Sequence, residues 1–388
     1  MSPLFEALFN GISIGSVLLI AALGLAIVFG LMGVINLAHG ELMMLGAYTT
    51  FVIQNIFKPW GEFWFDFYII VAIPCAFLVA AIAGLILERG VIRFLYGRPL
   101  ETLLATWGVS LILRQLVRSV NWSMAIGIGV FSLLFWGATW FCARQANWQK
   151  IRNWFIGITL PLSGAIAIIT GILINQAKIE ALTKPWFSAR NVDVTAPAWL
   201  RGGLPLGDFQ LPSSRIFIIV LTLLCLAGVY WFLNGSNWGL RIRAVTQNRT
   251  MSSCLGIPTN TIDALTFALG SGLAGIAGVA ISLLGSVGPN TGQNYIVDAF
   301  MVVVVGGVGN LLGSIIAAFA IGIVTYLIGS GTLALMLVNQ ESLEPLVNLF
   351  NFFASTSMSK VMVFILIIAF LQIKPSGIFP QKGRTAEL

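Results

Sequence analysis

Eleven apolar segments, separated by short polar or basic stretches, leave this chain few ways to fold. They lie at about 4–33, 36–54, 68–88, 101–121, 124–141, 154–174, 214–234, 264–286, 295–308, 311–329 and 358–373. A helix crossing a bilayer needs about 20 predominantly apolar residues. Most of these segments are long enough, whereas 295–308 is short and predicts a half-helix. In the bilayer core every backbone N–H and C=O must be paired within the protein, which favours helices. The expected fold is all-α: a polytopic transmembrane helical bundle with short or re-entrant helices and about 9–11 hydrophobic segments. One transmembrane domain should cover 1–388, and the most polar stretch, 176–215, is too short to be a soluble domain. Charged residues make up 9% of the chain, against about 25% in soluble globular domains.

The net charge of +7 does not indicate nucleic acid, because the basic residues sit in small clusters between apolar runs. Arg89, Arg93 and Arg98 form one cluster; Arg144, Lys150 and Arg152 a second; Arg241, Arg243 and Arg249 a third; Lys374, Lys382 and Arg384 a fourth. All four fall on one side if the N-terminus is outside and the C-terminus cytoplasmic, as the positive-inside bias requires. The stretch 176–213, with Trp186 and Trp199, is then an extracytoplasmic loop. It either meets a delivering protein or caps the outer face. No Lys or Arg precedes Lys58, so the basic region of a cleavable signal is missing. Cys75, Cys142, Cys225 and Cys254 show no metal-ligand spacing and read as free thiols; His39 is the only histidine, so a zinc site is not expected.

The run Gly30–Glu41 places Asn36, His39 and Glu41 between two long apolar segments. Polar groups at such a point end a helix, line a wet path or meet a partner. Two readings stay open: they satisfy backbone groups freed at a helix break, or they take part in gating or solute passage. Catalysis is disfavoured, since no nucleophile accompanies them. The pattern G-V-x-N-L recurs at Gly307–Leu311, which makes Asn310 the counterpart of Asn36 in a possible internal repeat. The glycines there lack the lysine of a phosphate loop. Thr106, Ser110, Arg114 and Arg118 follow one another at steps of four and form a polar stripe on one helix face. The Thr106–Ser110 pair serves either interhelical hydrogen bonding or a solute path. Gly270, Gly272, Gly275 and Gly278, with Ala274 and Ala277, predict close helix packing.

Residues 235–263 join two apolar segments. Leu240, Ala244, Met251 and Leu255 recur there at helical spacings, and Gly256 and Pro258 mark a stop. One or two short amphipathic helices are expected, lying either on lipid or against a partner.

Here the chain resembles a known family. G-L-R-x-R-A…N-R…G-I-P…D-A-L-T-F-A-L-G-S-G-L-A-G-I-A-G at 239–278 is similar to the coupling region of ABC importer membrane subunits, specifically the branched-chain amino acid permeases. N-L-A-H-G-E at 36–41 is a hallmark of the same family. Glu101–Leu113, Ala198–Gly203 and Lys374–Pro380 are similar to its urea-transport branch, and the region 124–175 is extra relative to shorter amino-acid permeases.

The resemblance implies a non-enzymatic permease subunit in the plasma membrane (the inner membrane of a bacterium), importing urea or short amides. The alternatives are branched-chain amino acid import and an ATP-independent channel or secondary transporter. The implied partners are a second homologous permease, two cytoplasmic ABC ATPases and an extracytoplasmic solute-binding protein. The chain lacks G-x-x-x-x-G-K-[ST], so no cofactor is expected on it, and ATP would bind the partner ATPases. Arg241, Arg243, Asn248, Arg249, Leu255 and Gly256 would couple to them. Asn36, His39, Glu41, Thr106, Ser110 and Asn310 are the candidates for the translocation path.

Overall fold

The computed structural model describes residues 2–143, 148–176, 186, 191–206, 209–332, 347 and 351–379. The α-helices among them are α1 (Ser2–Met32), α2 (His39–Phe57), α3 (Glu62–Gly90), α4 (Pro99–Ser119), α5 (Trp122–Ala143), α6 (Trp148–Gln176), α7 (Ser213–Gly235), α8 (Asn237–Gln247), α9 (Arg249–Cys254), α10 (Thr259–Ser282), α11 (Thr291–Gly306), α12 (Leu311–Gly329) and α13 (Thr356–Ile373). Each apolar segment of the sequence coincides with one helix, and α8 and α9 fill the connecting stretch 235–263.

Seven helices among the described residues are long and apolar enough to cross a membrane: α1, α3, α4, α6, α7, α10 and α12. The apolar stretches of α5 and α13 are shorter. Two of the eleven segments depart from a plain span for a physical reason. The helix α2 carries His39, Glu41 and Gln54, and α11, with Asn294 and Asp298, has only 16 residues. At 1.5 Å per residue, α11 is about 24 Å long, less than the roughly 30 Å hydrocarbon core. This matches the half-helix expected at 295–308.

The chain divides into two compact units, 1–111 with 193–388, and 112–192. The second unit contains α5 and α6. There Ser123 Oγ donates to the Gly171 carbonyl (3.3 Å). In the first unit, residues 193–206 and 209–213 of the expected outer loop are described, and the rest of that loop in this unit lies outside the described residues. The described part contains a two-stranded antiparallel hairpin, β1 (Gly203–Leu206) and β2 (Phe209–Pro212), with Leu204 opposite Leu211. This is the one departure from an all-α fold among the described residues. The Ala198 N–H donates to the Asp66 carboxylate (2.7 Å) and Trp199 Nε1 to the Asp66 carbonyl (2.9 Å), fixing this segment to α3.

The core of the first unit is built on α1 and α10, each hydrophobic on every face and almost wholly buried, as such helices must be. Small residues set the spacing. A Cβ on Gly24 would lie 2.3 Å from the Gly270 carbonyl oxygen, and one on Gly46 would lie 2.1 Å from that of Gly275. The lipid-facing side carries exposed Leu78, Ile82 and Ile86 on α3 and Leu223 and Leu224 on α7.

Described members of three of the four basic clusters share one end of this unit; Lys382 and Arg384 lie outside the described residues. Arg89 and Arg93 line one hollow with Ser253 and Ile257–Thr261. Arg243 lines another with Gly309 and Asn310, and the tail beginning at Lys374 pairs with the end of α11. We call this the basic end.

Glycine packing yields a direct expectation. A side chain at Gly278 would meet the Met43 carbonyl oxygen at 2.1 Å and the Ala47 nitrogen at 2.6 Å, both backbone atoms that cannot rotate away. Gly278→Leu is expected to cost about 3 kcal/mol or more and to lower the detergent melting temperature and membrane yield. Gly285→Leu, where nothing lies within 4 Å, should stay within about 0.5 kcal/mol of wild type. Equal melting of the two variants would refute the packing argument.

Candidate functional site

The polar run between α1 and α2 is a helix break held by α4. Gly33 ends α1 with φ +68, a conformation that costs glycine little. Asn36 is fully buried, and its Oδ1 accepts from the Ala38 N–H (3.0 Å), setting up the first turn of α2. The next N–H, from Leu37, donates to Thr106 Oγ1 of α4 (3.2 Å). One turn along α4, Ser110 Oγ donates to Glu41 Oε1 (2.9 Å). One turn back, Thr102 donates to the Leu95 and Arg98 carbonyls (3.0 and 2.8 Å) and anchors the start of α4. Thr102, Thr106 and Ser110 are all buried. Thr106 and Ser110 of the predicted stripe on α4 thus form an interhelical clamp on the break, and Thr102 extends this polar face one turn earlier than the sequence suggested.

His39 behaves differently from its neighbours. Its Nε2 lies 3.2 Å from the Ala21 carbonyl of α1. A carbonyl can only accept, so Nε2 carries the hydrogen. Nδ1 is buried and has no partner among the described residues. The expectation that His39 caps freed backbone groups is corrected here: Asn36 and Thr106 do that, while the His39 ring packs on the middle of α1. Gly24 makes room for it, since a Cβ there would lie 2.9 Å from His39 Cε1.

The second G-V-x-N-L element does the same local job. Gly307 ends α11 with φ +101, and Gly309 is also left-handed at +83. Asn310 then caps α12, its Oδ1 accepting from the Gly313 N–H (3.2 Å). The two breaks meet: a Cβ on Gly30 would lie 2.4 Å from Gly309 Cα. The chain's tail closes the second break. Ile378 N–H donates to the Val305 carbonyl (2.8 Å) and Phe379 N–H to that of Gly306 (3.3 Å), pairing two of the carbonyls that a helix end leaves open.

Asn310 does not join the Asn36–Glu41–Ser110 group. It lines a hollow of about 740 Å³ beside Leu31, Tyr230, Leu233, Arg243 and Gln247. The six sequence candidates therefore divide into a buried clamp (Asn36, Glu41, Thr106, Ser110), a histidine packed on α1, and an asparagine at the mouth of a separate hollow.

The segment 235–263 forms two capped helices. Ser236 caps α8, accepting from Gly239 N–H (2.9 Å), and Asn248 caps α9, accepting from Met251 N–H (2.9 Å). Gly256 ends the pair with φ +80. Arg249 fixes them to the bundle: it pairs with Asp263 (2.7 Å) and stacks over the Tyr96 ring at 4.9 Å. Burial, with the Asp263 and Glu88 carboxylates nearby, pushes the Tyr96 phenol well above its ordinary range and keeps it protonated. Arg241 lies over Trp238 (5.3 Å) and Arg243 donates to Asn234. Buried Ile242 and Val245 face the bundle. Leu240 and Met251 (each 60% exposed) and Leu255 (77%) face outward. Of the helical stripe seen in sequence, Leu240, Met251 and Leu255 are therefore outward, whereas Ala244 is half-buried. Sequence reasoning missed Tyr96, Thr102 and Asp263. Of these, only Asp263, a lone acid opening an apolar run, carried a visible signal.

The family described as "Branched-chain amino acid transport system / permease component" matches residues 7–371. The chain belongs to this family. It is 25% identical over 324 residues to the high-affinity branched-chain amino acid transport system permease protein BraD of Pseudomonas aeruginosa, covering 82% of this chain and 84% of that protein. It is 24% identical over 378 residues to the LivH permease of the corresponding Salmonella typhimurium system, covering 96% and 94%. The probable LivH permease of Methanocaldococcus jannaschii is 24% identical over 321 residues, covering 81% and 79%. No solved structure matches the chain. These names carry branched-chain amino acids rather than urea. The chain is a permease component and a multi-pass protein of the inner membrane.

The clamp yields a further expectation. Ser110→Ala removes a buried hydrogen bond to a carboxylate, worth about 1.5–3 kcal/mol. The melting temperature of the purified protein should fall, and Ser110→Thr should recover most of the loss. A Ser110→Ala protein that melts with wild type would show that the bond contributes nothing.

Proposed function

We propose that this chain is the membrane-spanning subunit of an ATP-binding-cassette importer that carries branched-chain amino acids inward. It works with a second permease, two cytoplasmic ATPases and an extracytoplasmic solute-binding protein. The observation that carries the reading is the capped helix pair α8–α9 at the basic end, in a chain whose family is that of transport-system permeases. Its inner side is anchored through Ile242, Val245 and Arg249, and its outer side presents Leu240, Met251 and Leu255. An outward apolar face rimmed by Arg241 and anchored from behind suits the reception of another protein's motion. The positive-inside bias puts that face in the cytoplasm, where ATP is available and where this chain has no phosphate-binding loop of its own.

Urea is the second reading. It rests on the resemblance of 101–113, 198–203 and 374–380 to the urea-transport branch. Residues in each have a structural role: Thr106 and Ser110 clamp the break, Ala198 and Trp199 fix the outer segment to α3, and Ile378 and Phe379 pair with the end of α11. A buried clamp of hydroxyls, an amide and a carboxylate also suits a neutral solute rich in N–H groups.

The test is uptake of labelled leucine and labelled urea in cells with and without the gene, with partner subunits present. Leucine uptake lost on deletion and restored by the intact gene supports the first reading; loss of urea uptake alone replaces the solute and keeps the importer. Leu255→Asp should leave membrane yield unchanged, reduce uptake about tenfold or more, the equivalent of about 1.4 kcal/mol, and weaken co-purification of the ATPase. Full uptake by Leu255→Asp would remove the coupling role of this face.

A further inference from the structure

Away from both breaks, α1 borders a second polar feature. Ile14 and Leu18 of α1, Met301 of α11, Ile321 of α12 and Val363 and Phe364 of α13 surround a partly enclosed cavity of about 210 Å³. A single water needs only about 10–15 Å³. One ion pair opens into this apolar chamber: Lys360 Nζ lies 2.8 Å from Asp298 Oδ2. The Asp298 side chain is 12% exposed and that of Lys360 41%. The Lys360 ammonium also sits 5.8 Å from the centre of the Tyr295 ring. None of these residues takes part in the clamp or in the coupling face.

Charges inside a membrane bundle are costly, and where they persist they mark pathways or ligands. A pair serving only to tie α11 to α13 would be most stable fully enclosed and close-packed, because desolvation is offset only when all its hydrogen-bonding capacity is used. This pair faces open volume. It presents an acceptor and a donor side by side on one wall, with aliphatic and aromatic walls elsewhere.

A second polar group lies near the cavity, toward the end opposite the basic end. Asn10 lies one turn before Ile14 on the same face of α1. Its Nδ2 donates to the Tyr326 hydroxyl (2.8 Å), and it accepts from the Arg215 guanidinium. Tyr326 adjoins Thr325 of the cavity wall.

We propose that the Asp298–Lys360 cavity is a solute-binding site for a small dipolar solute with N–H donors at one end and a carbonyl or carboxylate oxygen at the other. Asp298 takes the N–H end and Lys360 the oxygen end, so the solute replaces the pair's mutual contact with two of its own. The apolar walls take an aliphatic side chain. An amino-acid zwitterion and urea share this donor–acceptor chemistry. The proposal rests on the permease reading and names where within the chain the solute is held.

The test uses the double variant Asp298→Leu with Lys360→Met, in the full importer. Removing both charges together avoids stranding one, and exchange of a buried pair for apolar groups is commonly neutral or stabilising. Membrane yield and ATPase co-purification are therefore expected to match wild type. The purified importer is melted with leucine, with leucinamide, which lacks the carboxylate, and with urea; uptake of labelled leucine and urea is measured in parallel. In wild type the cognate solute should raise the melting temperature, because ligand bound only to the folded state stabilises it. The double variant should lose that shift and about tenfold or more of uptake, the equivalent of one charge-assisted contact. A shift with leucine but not with leucinamide or urea identifies a zwitterion; one with urea alone identifies the amide. A double variant with wild-type uptake and shift overturns the proposal. So does a wild-type importer that transports leucine or urea but shows no solute-dependent shift. A wild-type importer that transports neither refutes the solute readings themselves, and is seen before any variant is compared.

Discussion

Backbone-to-backbone contact through glycine is the constraint on which the rest of this molecule depends. In a bilayer, apolar side chains gain little by leaving lipid for protein, so helices associate through close packing and the few hydrogen bonds they can make. At Gly24, Gly30, Gly46 and Gly278, an added Cβ would lie 2.1–2.4 Å from a backbone atom of the facing segment. These contacts hold α1 and α10 at the centre. They also bring the two breaks together, because Gly30 and Gly309 touch. Without that approach, α4 would have no fixed break to clamp, and Asn310 would not stand beside the hollow that Arg243 enters.

The breaks follow from the same setting. Ending a helix within a membrane bundle strands N–H and C=O groups, and lipid pairs none of them. This chain meets the demand with neighbouring parts of itself. Asn36 serves its own segment, Thr106 of α4 serves Leu37, Asn310 caps α12, and the tail at Ile378–Phe379 serves the end of α11. Thr106 and the tail come from other elements, so each break is also a junction. The side chains that recur at these breaks are short and polar because they must reach a backbone group without opening space around it.

Much of this was legible in the sequence. The eleven segments, the short helix at 291–306 and the capped pair at 237–254 follow from length, periodicity and the placement of Gly256 and Pro258. The packing role of Gly270–Gly278 was visible because small residues at helical spacing have few other uses in an apolar run. The clamp was only half legible. Spacing put Thr106 and Ser110 on one face, but nothing in a linear chain says that this face meets residues 37–41. His39 misled for a related reason: proximity to the break in sequence suggested a capping role, whereas helical geometry turns its ring onto Ala21 and Gly24. The outward face of Leu240, Met251 and Leu255 was read as a stripe without a side, since periodicity gives a face and not its direction. Asp298 and Lys360, 62 residues apart, are joined only by the fold.

The order of features along α1 connects these parts. Asn10 bonds Tyr326 and Arg215, Ile14 and Leu18 lie in the wall of the cavity, Ala21 and Gly24 against His39, and Gly30 against Gly309 at the second break. The helix runs unbroken from Ser2 to Met32, with no internal proline or bulge at which it could bend. Its close contacts are with backbone atoms of α10 and α12, which do not yield as side-chain ends do. The α12 start shares its hollow with α8 and meets α1 at Gly30. The same helix α1 supplies Ile14 and Leu18 to the wall of the Asp298–Lys360 cavity. One buried helix therefore touches both regions.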